Sequence, residues 1–149
     1  MPITFNSFTP AAIPAVTELM LALYAEDPSG KPISLEKIQA TFAHLQAHPD
    51  QGEILVIKDE EQIVGYTILI NFWSNEFGGN ILTIDELYVV PAKRNQGIAT
   101  YFLEHLIQTK PHQAVALQLE TTPENYRAKA LYKRLGFTPH QNEVLVRDL

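Results

Sequence analysis

The stretch Val89-Val90-Pro91-Ala92-Lys93-Arg94-Asn95-Gln96-Gly97-Ile98-Ala99 decides how this chain is read. Pro91 ends an apolar, β-branched run, because proline cannot donate to a sheet ladder. Arg94, Gly97 and Ala99 follow at the spacing R, two residues, G, one residue, A, and a helical pattern begins. A glycine at the mouth of a helix lets backbone approach a ligand closely. The first-turn amides have no intrahelical partner, and the helix dipole favours negative charge there. The segment therefore reads as an anion site between a strand and a helix, with Lys93 and Arg94 adding fixed positive charge. Read without its surroundings, the same glycine could equally serve only to relieve crowding at the turn. The pattern is not a Walker loop, since no Lys-Ser/Thr follows a second glycine, and it lacks the spaced glycines of a dinucleotide fingerprint.

Working outward, NILTIDELYVV up to Val90 is a central strand, and Gly97 to Lys110 is an amphipathic helix with Ile98, Phe102 and Leu106 on one line. Upstream, EILVIK from Glu53 and QIVGYTILINFW form a hairpin, with a second turn at Ser74 to Asn80. Ile3 to Phe8 is a first strand. Thr9-Pro10 opens a helix striped by Ile13, Val16, Met20 and Leu23, and Ser34 caps another striped by Leu35, Ile38, Phe42 and Leu45. Downstream, Ala114 to Glu120 is a strand, Asn125 to Leu135 a helix capped by Gly136, and Glu143 to Val146 a closing strand. The order β, α, α, β, β, β, α, β, α, β, with no repeat or linker, predicts one α+β domain over residues 1–149 around a mixed sheet.

Composition narrows the function classes. Eleven Lys plus Arg against 17 Asp plus Glu give a net charge of −6, which disfavours a nucleic-acid partner because no basic stripe exists to release counterions. A packed globule is implied by 46% hydrophobic and 19% charged residues. No apolar run approaches the ~20 residues of a membrane span, and the first residues do not read as a secretory signal, so a cytoplasmic address is expected. Without cysteine there is no thiolate nucleophile or cysteine zinc site. His44 and His48, at i and i+4 without a third ligand, read as surface residues, so no metal is expected.

The segment IDELYVVPAKRNQGIATYFLEHLI, followed by NYRAKALYKRLGF, resembles the GNAT superfamily of acetyl-CoA-dependent N-acetyltransferases. The likeness is strong from Ile81 to Phe137, while the earlier elements match only in order. It implies the acyl-CoA N-acyltransferase fold, acetyl-CoA as cofactor, and transfer of its acetyl group to an amine by direct attack. By resemblance, Leu87, Val89, Arg94, Asn95, Gln96, Gly97, Ile98, Ala99, Asn125 and Tyr132 would contact the cofactor, and an amide near Val89 would receive the oxyanion. Two positions depart from the family pattern: Asn95 and Ala99 stand where glycine is common, though alanine is accepted at the second. Neither change removes a backbone N–H. Asn125 is also a natural helix N-cap.

The chemistry requires a neutral amine nitrogen and a proton for the departing thiolate. Asp85 and Glu86, just upstream of the strand's end, are the candidate bases. Either could instead hold a cationic substrate or pair with a nearby base. By resemblance Tyr132 would protonate the thiolate, although its helical position also suits a core tyrosine. The acceptor pocket is expected from two loops, with Tyr24, Glu26 and Asp27 on one and Phe72, Trp73, Asn75 and Glu76 on the other. Acidic and aromatic groups together suit a cationic small-molecule amine. A protein or peptide amine, and a non-catalytic acyl-CoA sensor or interaction module, are the other readings. A homodimer is compatible with the resemblance, whereas no membrane partner is expected.

Overall fold

The computed structural model describes residues 2–27 and 30–149. Its core is one five-stranded sheet in the order β1-β2-β3-β4-β5. The strands are β1 (Ile3–Ser7), β2 (Gly52–Asp59), β3 (Gln62–Ser74), β4 (Gly79–Val89) and β5 (Ala114–Leu119). Neighbours pair antiparallel except β4 and β5, which are parallel. Parallel neighbours require a crossover, and α3 (Ile98–Thr109) supplies it. The remaining helices are α1 (Ile13–Glu26), α2 (Leu35–Ala47) and α4 (Tyr126–Arg134). Among the described residues no helix is long and apolar enough to cross a membrane.

Helices cover both faces, which is why Ile54, Leu55, Val56 and Ile57 are buried in succession rather than alternately. On one face Val16 and Met20 of α1 and Ile38, Phe42 and Leu45 of α2 meet Ile54, Val56, Tyr66, Ile68 and Tyr88. On the other, Phe102, Leu103 and Leu106 of α3 meet Leu55, Leu69, Leu82 and Ile84, with Tyr132, Leu135 and Phe137 packed alongside. The helix ends follow the expected local chemistry. Ser34 Oγ accepts from Lys37 N and Asn125 Oδ1 from Ala128 N. Gly136, at φ 92°, closes α4 as Phe137 N donates to Tyr132 O.

Two irregularities in β4 shape the region around Asp85 and Glu86. The β3–β4 register jumps from Ile68↔Glu86 to Leu69↔Ile84, so Asp85 has no opposite number and forms a bulge. The buried Thr67 hydroxyl donates to the Glu86 carbonyl at 2.8 Å and secures the kink. Pairing with β5 also ends there, at Ile84↔Leu119, so from Asp85 onward β4 has no strand on that side.

The expected last strand does not form. Thr138 to Leu149 lie outside any strand and are exposed throughout, and the Lys31 ammonium holds the Asp148 carboxylate. A strand exists only where an edge pairs with it, and this segment pairs with none of the five strands. The helix expected from Thr9-Pro10 opens instead as a 3-10 turn, Pro10–Ala12, before α1 begins.

Gly65 is the tightest point beside the bulge. A Cβ built there would lie 2.3 Å from the Tyr88 carbonyl oxygen and 3.3 Å from Ile57 Cδ1. We expect Gly65→Ala to force β3 and β4 apart and lower stability by about 1–3 kcal/mol, as overpacking does. Gly30→Ala, whose methyl meets open space, should stay within about 0.5 kcal/mol of the parent in the same urea titration.

Candidate functional site

Because the bulge offsets the pleat, Glu86 projects toward α1. Its Oε2 accepts the Tyr24 hydroxyl at 2.6 Å and its Oε1 the Tyr66 hydroxyl at 2.6 Å. Tyr24 comes from the last turn of α1, while Tyr66 is fully buried on β3 next to Tyr88. Short O–H···O⁻ bonds of this kind are roughly twice as strong as neutral ones. Burial, followed by the bond to Glu86 and its charge, pushes both tyrosine hydroxyls well above their usual range. Beside Tyr24 an open groove of about 370 Å³ is lined by Leu21, Tyr24, Ala25, Gly30, Lys31, Pro32 and Ile33.

Asp85, in the bulge, reaches solvent, yet the protein around it and then the Glu120 charge raise its proton affinity. No side-chain bond holds it as the tyrosines hold Glu86.

Past the bulge the exposed strand edge presents amides. Val90 N donates across to Val64 O at 2.9 Å. Strand groups alternate sides, so the N–H groups of Val89 and Leu87 point away from β3, into the gap left by β5. The turn beyond carries Asn95 at φ 63° and Gly97 at φ 79°, left-handed residues either side of Gln96. Such alternation turns successive amides toward one concavity suited to an anion. A Cβ at Gly97 would meet nothing within 4 Å, so the space over the helix mouth is open. Amides at the strand edge and at the α3 mouth thus fit a long ligand bearing phosphates.

The basic side chains do not behave as the turn's sequence suggests. Lys93 is ion-paired with Asp59 at 2.8 Å. Arg94 grips Glu26 with one nitrogen at 2.8 and 3.0 Å, donates Nε to Val89 O at 2.8 Å and lies over the Tyr88 ring at 5.2 Å. Arg94 is therefore a strut between α1 and the end of β4. Glu26, expected at the acceptor, is its partner, and Asp27 is the C-cap of α1.

Trp73 and Glu76 are not brought to this site. Trp73 pairs with Asn80, six positions before Glu86 (86 − 80), which is about 20 Å along the strand. Phe72, Asn75 and Glu76 belong to the same distant hairpin tip. Tyr132 packs beside the α3 core, 5.9 Å from Phe137 in edge contact, and burial raises its hydroxyl's proton affinity. Asn125 is occupied as an N-cap. Sequence reading missed Tyr66 and Thr67 as site residues. Only a fixed register reveals them, because within β3 they look like ordinary strand residues. The two helix histidines are exposed, and His44 bonds Gln51; among the described residues no group of three or more candidate ligands could hold a metal.

The acetyltransferase (GNAT) family model matches residues 16–137. A possible acetyltransferase from Clostridium difficile 630 superposes with a TM-score of 0.83 at 19% identity, covering 99% of this chain and 97% of that one. AAC(6')-Iy, solved with the bisubstrate analogue CoA-S-monomethyl-acetylneamine, gives 0.78 at 14% identity, with 99% and 98% covered. A ribosomal-protein-alanine N-acetyltransferase from Brucella melitensis biovar Abortus 2308 gives 0.75 at 17%, with 98% and 99% covered. At these identities the likeness is one of fold. No curated protein matches the sequence.

The two tyrosines make a pH prediction. Folding favours their protonated forms, so this stabilisation is complete below the ordinary tyrosine pKa of about 10 and fades as pH rises above it. Urea midpoints should fall between about pH 9 and pH 11. Tyr66→Phe should flatten that slope and, at neutral pH, cost about 1.5–3 kcal/mol for the lost charge-assisted bond. An unchanged slope in both Tyr66→Phe and Tyr24→Phe would contradict the assignment.

Proposed function

Because this chain belongs to the acetyltransferase (GNAT) family, we propose that it transfers the acetyl group of acetyl-CoA to a cationic primary amine of a small molecule, with Glu86 receiving that amine. The observation carrying this reading is the Glu86 carboxylate, fixed by Tyr24 and Tyr66, of which Tyr24 also lines the groove beside α1. A carboxylate has about four acceptor sites, so two tyrosine bonds leave room for an ammonium. The chain's net charge of −6 adds a general, salt-sensitive attraction for such a substrate. Of the two expected bases, Glu86 is the one held by two tyrosine hydroxyls, so we assign proton removal to Glu86.

Acetyl-CoA supplies an activated thioester to the gap between β4 and β5. The amides of Leu87 and Val89 line that gap, and in this reading the Val89 N–H donates to the carbonyl oxygen as negative charge builds on it. Asn95, Gln96, Gly97, Ile98 and Ala99 offer backbone donors for the phosphates. Arg94 serves this binding indirectly by holding the end of β4, and Asn125 by starting α4. Glu86 takes a proton from the bound ammonium, which frees the nitrogen lone pair for attack. Tyr132, whose phenol is protonated at neutral pH, gives its proton to the departing sulfur. Tyr24 joins the acceptor pocket through its ring beside the groove, and Glu26 and Asp27 follow it at the end of α1.

With an accepted amine, Glu86→Gln should lower kcat by about 10²–10⁴-fold, the usual loss for a proton-transfer group, while Asp85→Asn should change it only a few-fold. The reverse pattern would move proton removal to Asp85. Tyr132→Phe should lose turnover with CoA affinity unchanged, and turnover within about twofold of the parent would make the ring a packing element.

Cofactor binding is tested separately. Gly97→Ala adds a methyl over the helix mouth and strains a left-handed residue by about 1–2 kcal/mol. Calorimetry should show CoA affinity lowered at least tenfold in a variant whose far-UV spectrum is native. Unchanged affinity would remove the turn as the phosphate site. CoA binding without thiol release, across a broad set of amines, would favour a sensor.

A further inference from the structure

We propose that Lys31 reads a carboxylate on the acetyl acceptor, so that the accepted small molecule is an ω-amino acid, with a primary amine and a carboxylate at the two ends of a short apolar chain. The inference rests on the reading of Glu86 as the group that receives the amine, and it adds recognition of the acceptor's other end. Its first support is the make-up of the groove beside α1. Leu21, Ala25, Pro32 and Ile33 give it apolar walls, and among the described residues that line it only Lys31 carries a charge. An apolar groove with one charged group selects a ligand with an apolar body and one complementary charge at a fixed place.

Second, the Lys31 ammonium already holds a carboxylate. It binds Asp148, which reaches it on the C-terminal segment. The two side chains are 67% and 66% exposed, so water competes for the pair and the contact adds little to stability. A pair of this kind exchanges readily for another carboxylate. Asp148 thus occupies, from within the chain, the place assigned to the acceptor's acid group.

Third, Tyr24 links the two ends of the ligand's path. Its hydroxyl donates to Glu86 Oε2, and the same residue lines the groove together with Lys31. Glu86 is bonded by Tyr24 and Tyr66, whereas Lys31 is bonded to Asp148, so each charge keeps its own partners. An acceptor that meets both charges carries its amine and its carboxylate on different carbons of a spacer, and the apolar walls suit a hydrocarbon one. Entry in the reverse sense would set carboxylate against Glu86 and ammonium against Lys31, so the two charges also fix orientation.

The test offers γ-aminobutyrate, δ-aminovalerate and ε-aminocaproate with acetyl-CoA, each beside its own primary amide, and n-butylamine as a plain amine, and follows thiol release. The amide removes the far charge and keeps the amine, so the acid-to-amide ratio of kcat/KM isolates the carboxylate. We expect at least one acid to be favoured about tenfold over its amide, the discrimination of one charge-assisted hydrogen bond. Lys31→Gln should bring that ratio close to one, and Lys31→Arg should keep it. Asp148→Asn, which withdraws the internal competitor, should raise the ratio a few-fold further. Acids and amides used alike by the parent, a preference that survives Lys31→Gln, or an Asp148→Asn ratio no higher than the parent's would each overturn the carboxylate site while leaving acetyl transfer to amines standing. Release with n-butylamine but with none of the acids would do the same. No release with any of these amines would overturn the acetyl-transfer reading and this inference together.

Discussion

A carboxylate taken partly out of water must be hydrogen-bonded on the protein's terms, and Glu86 sets those terms here. Its two oxygens bind hydroxyls from α1 and β3, so the helix end, the central strand and the neighbouring strand are fixed to one another at a single group. Removing either hydroxyl would leave charge less well solvated, the kind of loss that costs more than the bond itself contributes. The rest follows from where that carboxylate must sit. Without the bulge at Asp85 the pleat would alternate unbroken, and Glu86 would share the α3-facing side of Ile84 instead of meeting Tyr24.

The same bulge accompanies the end of pairing between β4 and β5. A strand that loses its neighbour halfway presents amides with nothing to donate to, and such groups are tolerated only near solvent or a ligand. The parallel pairing up to Ile84↔Leu119 and its absence beyond Asp85 therefore leave backbone groups on that side of β4 without a strand partner. The α3 mouth extends this backbone surface. Charge is managed separately: Lys93 and Arg94 are spent on Asp59 and Glu26, partly exposed pairs worth at most about 1 kcal/mol each. Their value is geometric, since Arg94 joins α1 to the last carbonyl of β4.

Stability and openness are divided across the sheet. The region around β2 and β3 is dry and covered on both faces, whereas α4 contributes no buried residue and the C-terminal segment none at all. The candidate site spans both conditions: Tyr66 is fully buried beside Glu86, whereas the space over the α3 mouth is open.

Much of this was legible in the residues alone. Local chemistry wrote the helix limits into Ser34, Asn125 and Gly136, and periodicity separated the strands from the helices. The Arg94-Asn95-Gln96-Gly97 turn, read between a strand and a helix, pointed to the family, because that pattern needs only short-range geometry. Long-range pairing decided the rest. Whether Asp85 or Glu86 faced α1 depended on a bulge that no period of two contains. Tyr66 became a partner of Glu86 through register across a hairpin, and Arg94 was drawn to Glu26 by the packing of α1. Trp73 and Glu76 looked close to the site in sequence reasoning because a hairpin's two ends are indistinguishable until the strand between them has a measured length. Glu143 to Val146 carried every local mark of a strand, yet strand formation is a property of two segments, and the sequence names only one of them.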